Sequence, residues 1–354
     1  MPGQTRSVIK WSRRRPSVDK LRVALIGYGT GGAVFHAPLI DAAPELELAA
    51  VVTRDPERRA AVRDRYAGTE LVDAPDDLWS GGYDLVVVTT PNRTHVPLAR
   101  AALDAGIPVV VDKPIATTAA EARSLAGGPL VVPFHNRRWD GDFRTAARLI
   151  GDGTLGRVLR FESRFTRWRP QIKPGWKETA DPAAAGGALY DLGAHLIDQA
   201  ITLFGPPVDV HAELDVRRPG AEAVDDAFVA LTHEGGVRSH LWMSAISADL
   251  GPRFRVLGDR AAYVTYGLDV QEDQLRAGLT PTDSDYGVTP PEAYGTVGTP
   301  GDTRPEPTDP GRYQDFYPAV AAAVRGDGPP PVTLEDAIAG LEVIETAAHQ
   351  AGAA

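Results

Sequence analysis

The sequence predicts two domains: a doubly wound parallel α/β unit over residues 21–137, then an α+β unit built on an antiparallel sheet over 138–354. Three observations predict this. Short apolar runs alternate with amphipathic segments from about residue 21 onward, the pattern of successive β-α units around a parallel sheet. Past residue 138, strand-like segments follow one another with few helices between them, which is how an antiparallel sheet reads. A chain of 354 residues is also too long for one ordinary domain.

Each element has a local reason. Apolar runs predict first-domain strands at 22–26, 46–52, 84–88, 109–111 and 130–133, with helices near 33–42, 56–66, 96–105 and 119–125. Second-domain strands are expected at 158–165, 208–214, 227–231, 238–243 and 253–257. One helix, 189–203, interrupts them and is stopped by Gly205-Pro206-Pro207. Residues 280–311, crowded with Pro, Gly, Asp and Thr, read as a long loop. Helices resume at 313–324 and 334–348. Residues 1–20 form a basic tail, with Arg6, Lys10, Arg13, Arg14, Arg15 and Lys20 against Asp19 alone, and are expected to be flexible.

Composition narrows the function. With 43% hydrophobic and 24% charged residues the chain has globular proportions and can bury a sizeable core. A formal charge of −10 disfavours nonspecific binding to nucleic acid or anionic lipid, so neither is an expected partner. The absence of cysteine excludes disulfides, thiolate zinc sites and cysteine nucleophiles. No apolar run approaches the roughly eighteen residues needed to span a bilayer. The Arg13-Arg14-Arg15 run lacks the apolar stretch of a twin-arginine export signal, being followed by Pro16, Asp19, Lys20 and Arg22. A cytoplasmic location is expected.

Five segments carry chemistry. Gly27-Tyr28-Gly29-Thr30-Gly31-Gly32 fits G-x-G-x-x-G where a strand turns into a helix. Gly27 permits the tight turn, Gly29 the approach of a pyrophosphate, and Gly32 close packing of helix on strand. The second strand ends in Thr53-Arg54, where an acidic residue would bind the ribose hydroxyls of NAD. A hydroxyl followed by a guanidinium suits a 2'-phosphate, so NADP is favoured, with NAD possible. Asp55-Pro56 reads instead as N-cap and first position of the next helix. Thr89-Thr90-Pro91-Asn92-Arg93-Thr94-His95 and Val111-Asp112-Lys113-Pro114 end the next two strands. Ligands bind at such carboxyl ends, so Thr90, Pro91, Asn92, His95, Asp112 and Lys113 are expected to border the cofactor. Lys113 can stabilise a developing alkoxide, or can be a surface lysine in a turn. In Gly186-Gly187-Ala188-Leu189-Tyr190-Asp191-Leu192-Gly193-Ala194-His195, Asp191 and His195 stand four apart on a helix. Histidine suits removal of a hydroxyl proton near neutrality, and a carboxylate beside it would favour its charged form. Such pairs are more often plain surface pairs. No third ligand with metal-site spacing appears, so no metal is expected.

Together GYGTGG, TTPNRTH, DKP, HNRRWD and GGALYDLGAHLID, in this order, resemble the Gfo/Idh/MocA family of sugar and polyol oxidoreductases. GGAVFHAPLI, NRRWDGDF and YDLGAHLIDQ resemble in particular its branch of NADP-dependent scyllo-inositol dehydrogenases. The resemblance implies a Rossmann domain, then a second domain with a large open sheet that commonly mediates homo-dimers or homo-tetramers. It implies Lys113, Asp191 and His195 as the catalytic set, a lysine to proline bond that is often cis, and Asp112 in place of the family's usual glutamate. The expected activity is hydride transfer between NAD(P) and a secondary alcohol or ketone of an inositol-like polyol or sugar, with Asn136, Arg137, Trp139 and Trp168 as candidates to line the substrate pocket. The rivals are a redox-assisted glycosidase, a reductase of a non-sugar carbonyl, and a dinucleotide-binding sensor without turnover.

Overall fold

Runs such as Val86-Val87-Val88 and Val109-Val110-Val111 have no polar face, and in the computed structural model all six residues are fully buried. Strands covered on both faces read this way. The structure describes residues 20–172, 175 and 178–352, so all of the expected N-terminal tail but Lys20 lies outside the described residues. The first sheet is parallel, with β1 (Leu21–Ile26), β2 (Leu46–Val52), β3 (Glu70–Val72), β4 (Leu85–Val88), β5 (Val109–Asp112) and β6 (Val131–Phe134). Its order is β3-β2-β1-β4-β5-β6. The order reverses between β1 and β4, and the crevice at such a switch point is where doubly wound folds bind ligands. Register pairs Ile26 with Val52 and with Val88, and Val88 with Val111, so the carboxyl ends of these four strands lie side by side. The helices between them are α1 (Ala37–Asp41), which continues a π-helical turn at Gly31–His36, α2 (Pro56–Arg65), α3 (His95–Asp104) and α4 (Ala119–Ser124).

After α5 (Gly141–Gly151) the second domain is an eight-stranded sheet. It comprises β7 (Val158–Thr166), β8 (Pro207–Asp215), β9 (Asp226–His233), β10 (Arg238–Ser244), β11 (Phe254–Gly258), β12 (Ala262–Thr265), β13 (Gly295–Thr299) and β14 (Asp302–Glu306). The order is β14-β13-β12-β11-β7-β10-β9-β8. Every pairing is antiparallel except that of β7 with β10. Helix α6 (Ala194–Phe204) precedes β8, and α7 (Gln271–Arg276) lies between β12 and β13. The closing helices α8 (Phe316–Arg325) and α9 (Leu334–Gln350) turn back toward the first sheet. Phe316, Tyr317 and Val320 of α8 share one apolar core with Val23, Leu25 and Val87. Leu341 and Ile344 of α9 share another with Val88 and Val111 and with Phe161 and Val256 of the second sheet.

Three expectations are corrected. The stretch 280–311 is not all loop, because it contains the β13–β14 hairpin. Pro305 sits on β14, the outermost strand of its sheet, where a missing N–H breaks no ladder. The helix expected at 189–203 opens as a π turn, Leu189–Gly193, before α6. Helices α5 and α7 and strands β3 and β12 are additional to the expected elements.

Candidate active site

The phosphate-binding turn is shaped by its glycines. Gly27 adopts φ +101°, a conformation that residues with a Cβ rarely reach. A Cβ on Gly32 would run into the carbonyl of Gly27, and one on Gly31 into the side chains of Thr89 and Asp112. Around Gly29, among the described residues, such an atom would meet only Arg58 Nη1, at 4.0 Å. The turn is therefore closed toward the sheet and open toward a cavity of about 650 Å³. That open backbone, at the start of a helix, fits the pyrophosphate of a dinucleotide.

The cavity runs from this turn, past the ends of β4 and β5, to residues of the second domain. It is lined by Gly27, Gly29, Thr30, Gly31, Thr90, Pro91, Asn92, His95, Asp112 and Lys113, and farther along by Asn136, Arg137, Asp191 and His195. Several expected residues lie elsewhere. Gly32 packs against the turn, Thr53 is buried, and Arg54 is an exposed side chain whose Nε donates to Asp73 O at 2.9 Å. Trp139 packs edge-on against Phe316, with ring centroids 5.6 Å apart, and Trp168 is 57% exposed beside Ile246. Neither tryptophan lines the cleft, so the cleft itself does not support their expected role in substrate binding.

The structure adds lining residues that the motifs did not reveal. Arg58 projects to the glycine turn from the first turn of α2, where Asp55 caps the helix by accepting from the Glu57 and Arg58 amides. Phe35, Phe134, Phe165, Arg167, Arg169, Glu272 and Arg276 also line the cavity. Arg58 carried a signal, because a cation three residues beyond an N-cap lies near the carboxyl end of the preceding strand. Glu272 and Arg276 carried none, coming from a helix far along the chain.

Buried pairs hold the two halves in register. Arg138 grips Asp198 of α6 through Nε at 2.9 Å and Nη2 at 2.6 Å, and reaches Asp336 of α9 at 3.1 Å. Gln199 Nε2 donates to the Arg137 carbonyl at 2.9 Å. This explains why HNRRWD and HLIDQ accompany each other: they fix α6, and hence His195, relative to β6. Asn92 adds a tie, its Nδ2 donating to Ala184 O at 2.9 Å. His95 joins the two cofactor-bordering loops, its ring nitrogens lying 2.8 Å from Pro114 O and 2.7 Å from Thr90 O.

At the junction, Lys113 Nζ donates to the Asp191 carbonyl oxygen at 2.5 Å and to Asp191 Oδ1 at 3.1 Å, and the Lys113-Pro114 peptide is cis. Asp191 thus serves the lysine. The expected pairing of Asp191 with His195 is absent among the described residues, where His195 Nδ1 has no hydrogen-bond partner. The π turn places Asp191 before the regular spiral of α6, so the four-residue spacing does not stack the two side chains. Burial, then the charges of Lys113, Arg137, His135 and Arg253, push the His195 pKa well below the ordinary value, opposite to the direction expected from an adjacent carboxylate. This environment favours the neutral form of His195. Asp112 is half-buried, and its desolvation raises its pKa. The attraction of His36, His95 and Lys113 outweighs this and holds its carboxyl well below the usual range. Thr89 Oγ1 donates to Asp112 at 3.2 Å, and the Lys113 amide at 2.8 Å.

Known proteins resemble this chain along most of its length. Residues 21–127 match the profile described as the Gfo/Idh/MocA oxidoreductase family, NAD-binding Rossmann fold, and residues 147–352 that of the family's C-terminal alpha/beta domain. The chain belongs to the Gfo/Idh/MocA family. It is accordingly an oxidoreductase of the NAD(P)-dependent dehydrogenase kind, with a Rossmann domain for the dinucleotide. This Gfo/Idh/MocA protein is 42% identical over 336 residues, 92% of its length and 95% of the relative's, to the uncharacterized oxidoreductase YdgJ of Escherichia coli. It is 35% identical to scyllo-inositol 2-dehydrogenase (NADP(+)) IolW of Bacillus subtilis, over 94% of each chain. The structure of the oxidoreductase yvaA from Bacillus subtilis superposes with a TM-score of 0.87 at 34% identity, covering 94% of this chain and 98% of that one.

Proposed function

We propose that the protein oxidises a secondary alcohol of a cyclic polyol or sugar, or reduces the corresponding ketone, with NADP(H). The observation that carries this is the meeting of Lys113, from the end of β5, with Asp191 and His195 from the second domain, in one cleft that begins at the glycine turn. The bound nicotinamide supplies the acceptor or donor of the hydride. A neutral His195 can take the hydroxyl proton as the C–H bond breaks. Lys113 stabilises the negative charge that develops on the same oxygen, and Asp191 orients Lys113 through two hydrogen bonds. In reduction the proton returns from His195 to the carbonyl oxygen.

NADP over NAD draws support from Arg58 of α2, which lines the cavity beside the glycine turn, and from Arg54, which lies outside the cavity lining but is exposed just after β2. The substrate class draws support from the name of the IolW relative. Turnover is favoured over a sensor role because all three candidate catalytic side chains are present and line the cleft. Assembly into a homo-dimer or homo-tetramer through the second sheet belongs to the same proposal. That sheet carries a partly exposed cluster of Phe228, His240 and Trp242, with the Arg164 guanidinium 4.0 Å from the Trp242 ring centroid. No helix among the described residues is long and apolar enough to cross a membrane, and a cytoplasmic setting is part of the proposal.

The test is steady-state kinetics with cofactor titration on His195→Ala and Lys113→Ala. Each should lower kcat by roughly 100- to 10,000-fold, the range for losing a proton-transfer group such as His195, with the charge-stabilising Lys113 toward its lower end, and dinucleotide affinity nearly intact. Near-wild-type turnover in His195→Ala would place the base elsewhere.

A further inference from the structure

A cleft for a neutral polyol needs available acceptors as well as donors, because each hydroxyl both donates and accepts. In the substrate half of this cleft the carboxylates are already engaged. Glu272 accepts from Arg137 Nη2 at 2.9 Å and from Arg276 Nη2 and Nε at 2.9 and 3.2 Å. Asp191 accepts from Lys113.

Donors are in surplus. Arg167 and Arg169 follow β7 and line the cavity, and among the described residues neither guanidinium makes a hydrogen bond or an ion pair. Arg167 lies against the Phe165 ring at 4.8 Å, and Arg137 approaches the same ring at 4.8 Å. Arg137 Nε is buried without a partner among the described residues. Burial, then the positive charge of Arg169, depresses the Arg167 pKa, only partly offset by Asp191 and Glu272. Lys113, Arg137, Arg167, Arg169 and Arg276 line this half; Lys113 pairs with Asp191, Arg137 with Asp140 and Glu272, and Arg276 with Glu272, which leaves Arg167 and Arg169 as the cations without an ion pair among the described residues. Arg167 is half-buried and Arg169 exposed, so both unpaired guanidiniums stay open to an anion entering the cleft. The dinucleotide phosphates do not supply it, since the glycine turn and Arg58 draw them to the opposite end.

We propose that the substrate is an anionic polyol or sugar whose carboxylate or phosphate is received by Arg167 and Arg169 while its carbinol faces Lys113 and His195. The inference rests on the polyol-dehydrogenase reading and narrows it. Paired guanidiniums match the oxygens of either group in a forked, charge-assisted geometry.

The test compares matched substrates on the full chain with saturating NADP: D-glucose with D-glucuronate for the carboxylate, and myo-inositol with myo-inositol 1-phosphate for the phosphate. At least one anionic member should exceed its neutral partner by about 10-fold or more in kcat/KM, the scale of one charge-assisted interaction, and which one identifies the group. Its KM should rise with added potassium chloride in the wild-type protein, a readout that needs no variant. Arg167→Gln and Arg169→Gln should each raise that KM about 10-fold or more, with NADP titration confirming that the variants fold. Equal or better turnover of the neutral partners, or variants with unchanged KM for the anion, overturns the anionic assignment and leaves the dehydrogenase reading standing. Absence of turnover on all four compounds and on a wider polyol panel overturns both.

Discussion

His195 owes its chemistry to what surrounds it rather than to a carboxylate partner. Its burial and the neighbouring cations depress its pKa, so the neutral form, the one that accepts a proton, persists to lower pH than for an ordinary histidine. The sign gives a prediction. In alcohol oxidation the acid limb of kcat/KM should lie well below pH ~6.5, the unperturbed value. A pH profile with saturating NADP measures this, and a limb at or above ordinary histidine values would contradict the assigned environment. At this scale the sequence was partly legible. Lys113, Asp191 and His195 stood out because each sits in a dense motif, yet the pairing was misread, since a π turn cannot be seen in residue spacing. Arg167 and Arg169 escaped notice because a charged pair just beyond a strand reads as solvated surface until the fold sets it along a cleft. Trp139 was misplaced for the opposite reason, because an aromatic beside a polar motif packs equally well into a core.

Among the elements, the turn from β2 into α2 should decide cofactor choice. Arg54 bonds the Asp73 carbonyl through Nε alone, and Arg58 reaches the rim of the glycine turn one helical step later. Arg54→Asp should weaken NADP binding roughly 10- to 100-fold, since a hydrogen bond to a charged group contributes about 1.5–3 kcal/mol, and should shift the affinity ratio toward NAD. Fluorescence titration with both dinucleotides checks this; a wild-type protein that binds NAD more tightly, or a ratio insensitive to Arg54, would contradict it. First-domain strands were readable because unbroken Val and Ile runs leave little choice of structure. The β13–β14 hairpin was not, because Gly295, Gly298 and Pro305 are loop residues by composition, and only pairing with β12 makes a strand of β13. Strand β3, three residues long, carries too little pattern to register.

The whole molecule makes the site by folding back on itself. Helices α8 and α9 return from the second sheet to pack on the first, and one apolar core extends from Val88 and Val111 through α9 to Phe161. This continuity, with the Arg138 to Asp198 pair, keeps His195 facing Lys113 across the domain junction. The alternation of β-α units and the later succession of strands made two domains legible; the return of the last two helices was not, because a helix pattern does not say which sheet it covers. The central claim is that this cleft turns over a polyol rather than only binding a dinucleotide. Incubating the full chain with NADP and a panel of inositols, aldoses and their acidic derivatives, and following absorbance of the reduced nicotinamide, tests it most directly. The account predicts reduced nicotinamide formed in step with loss of one polyol or sugar. Saturable dinucleotide binding without turnover on any member of the panel, in either direction, would contradict it.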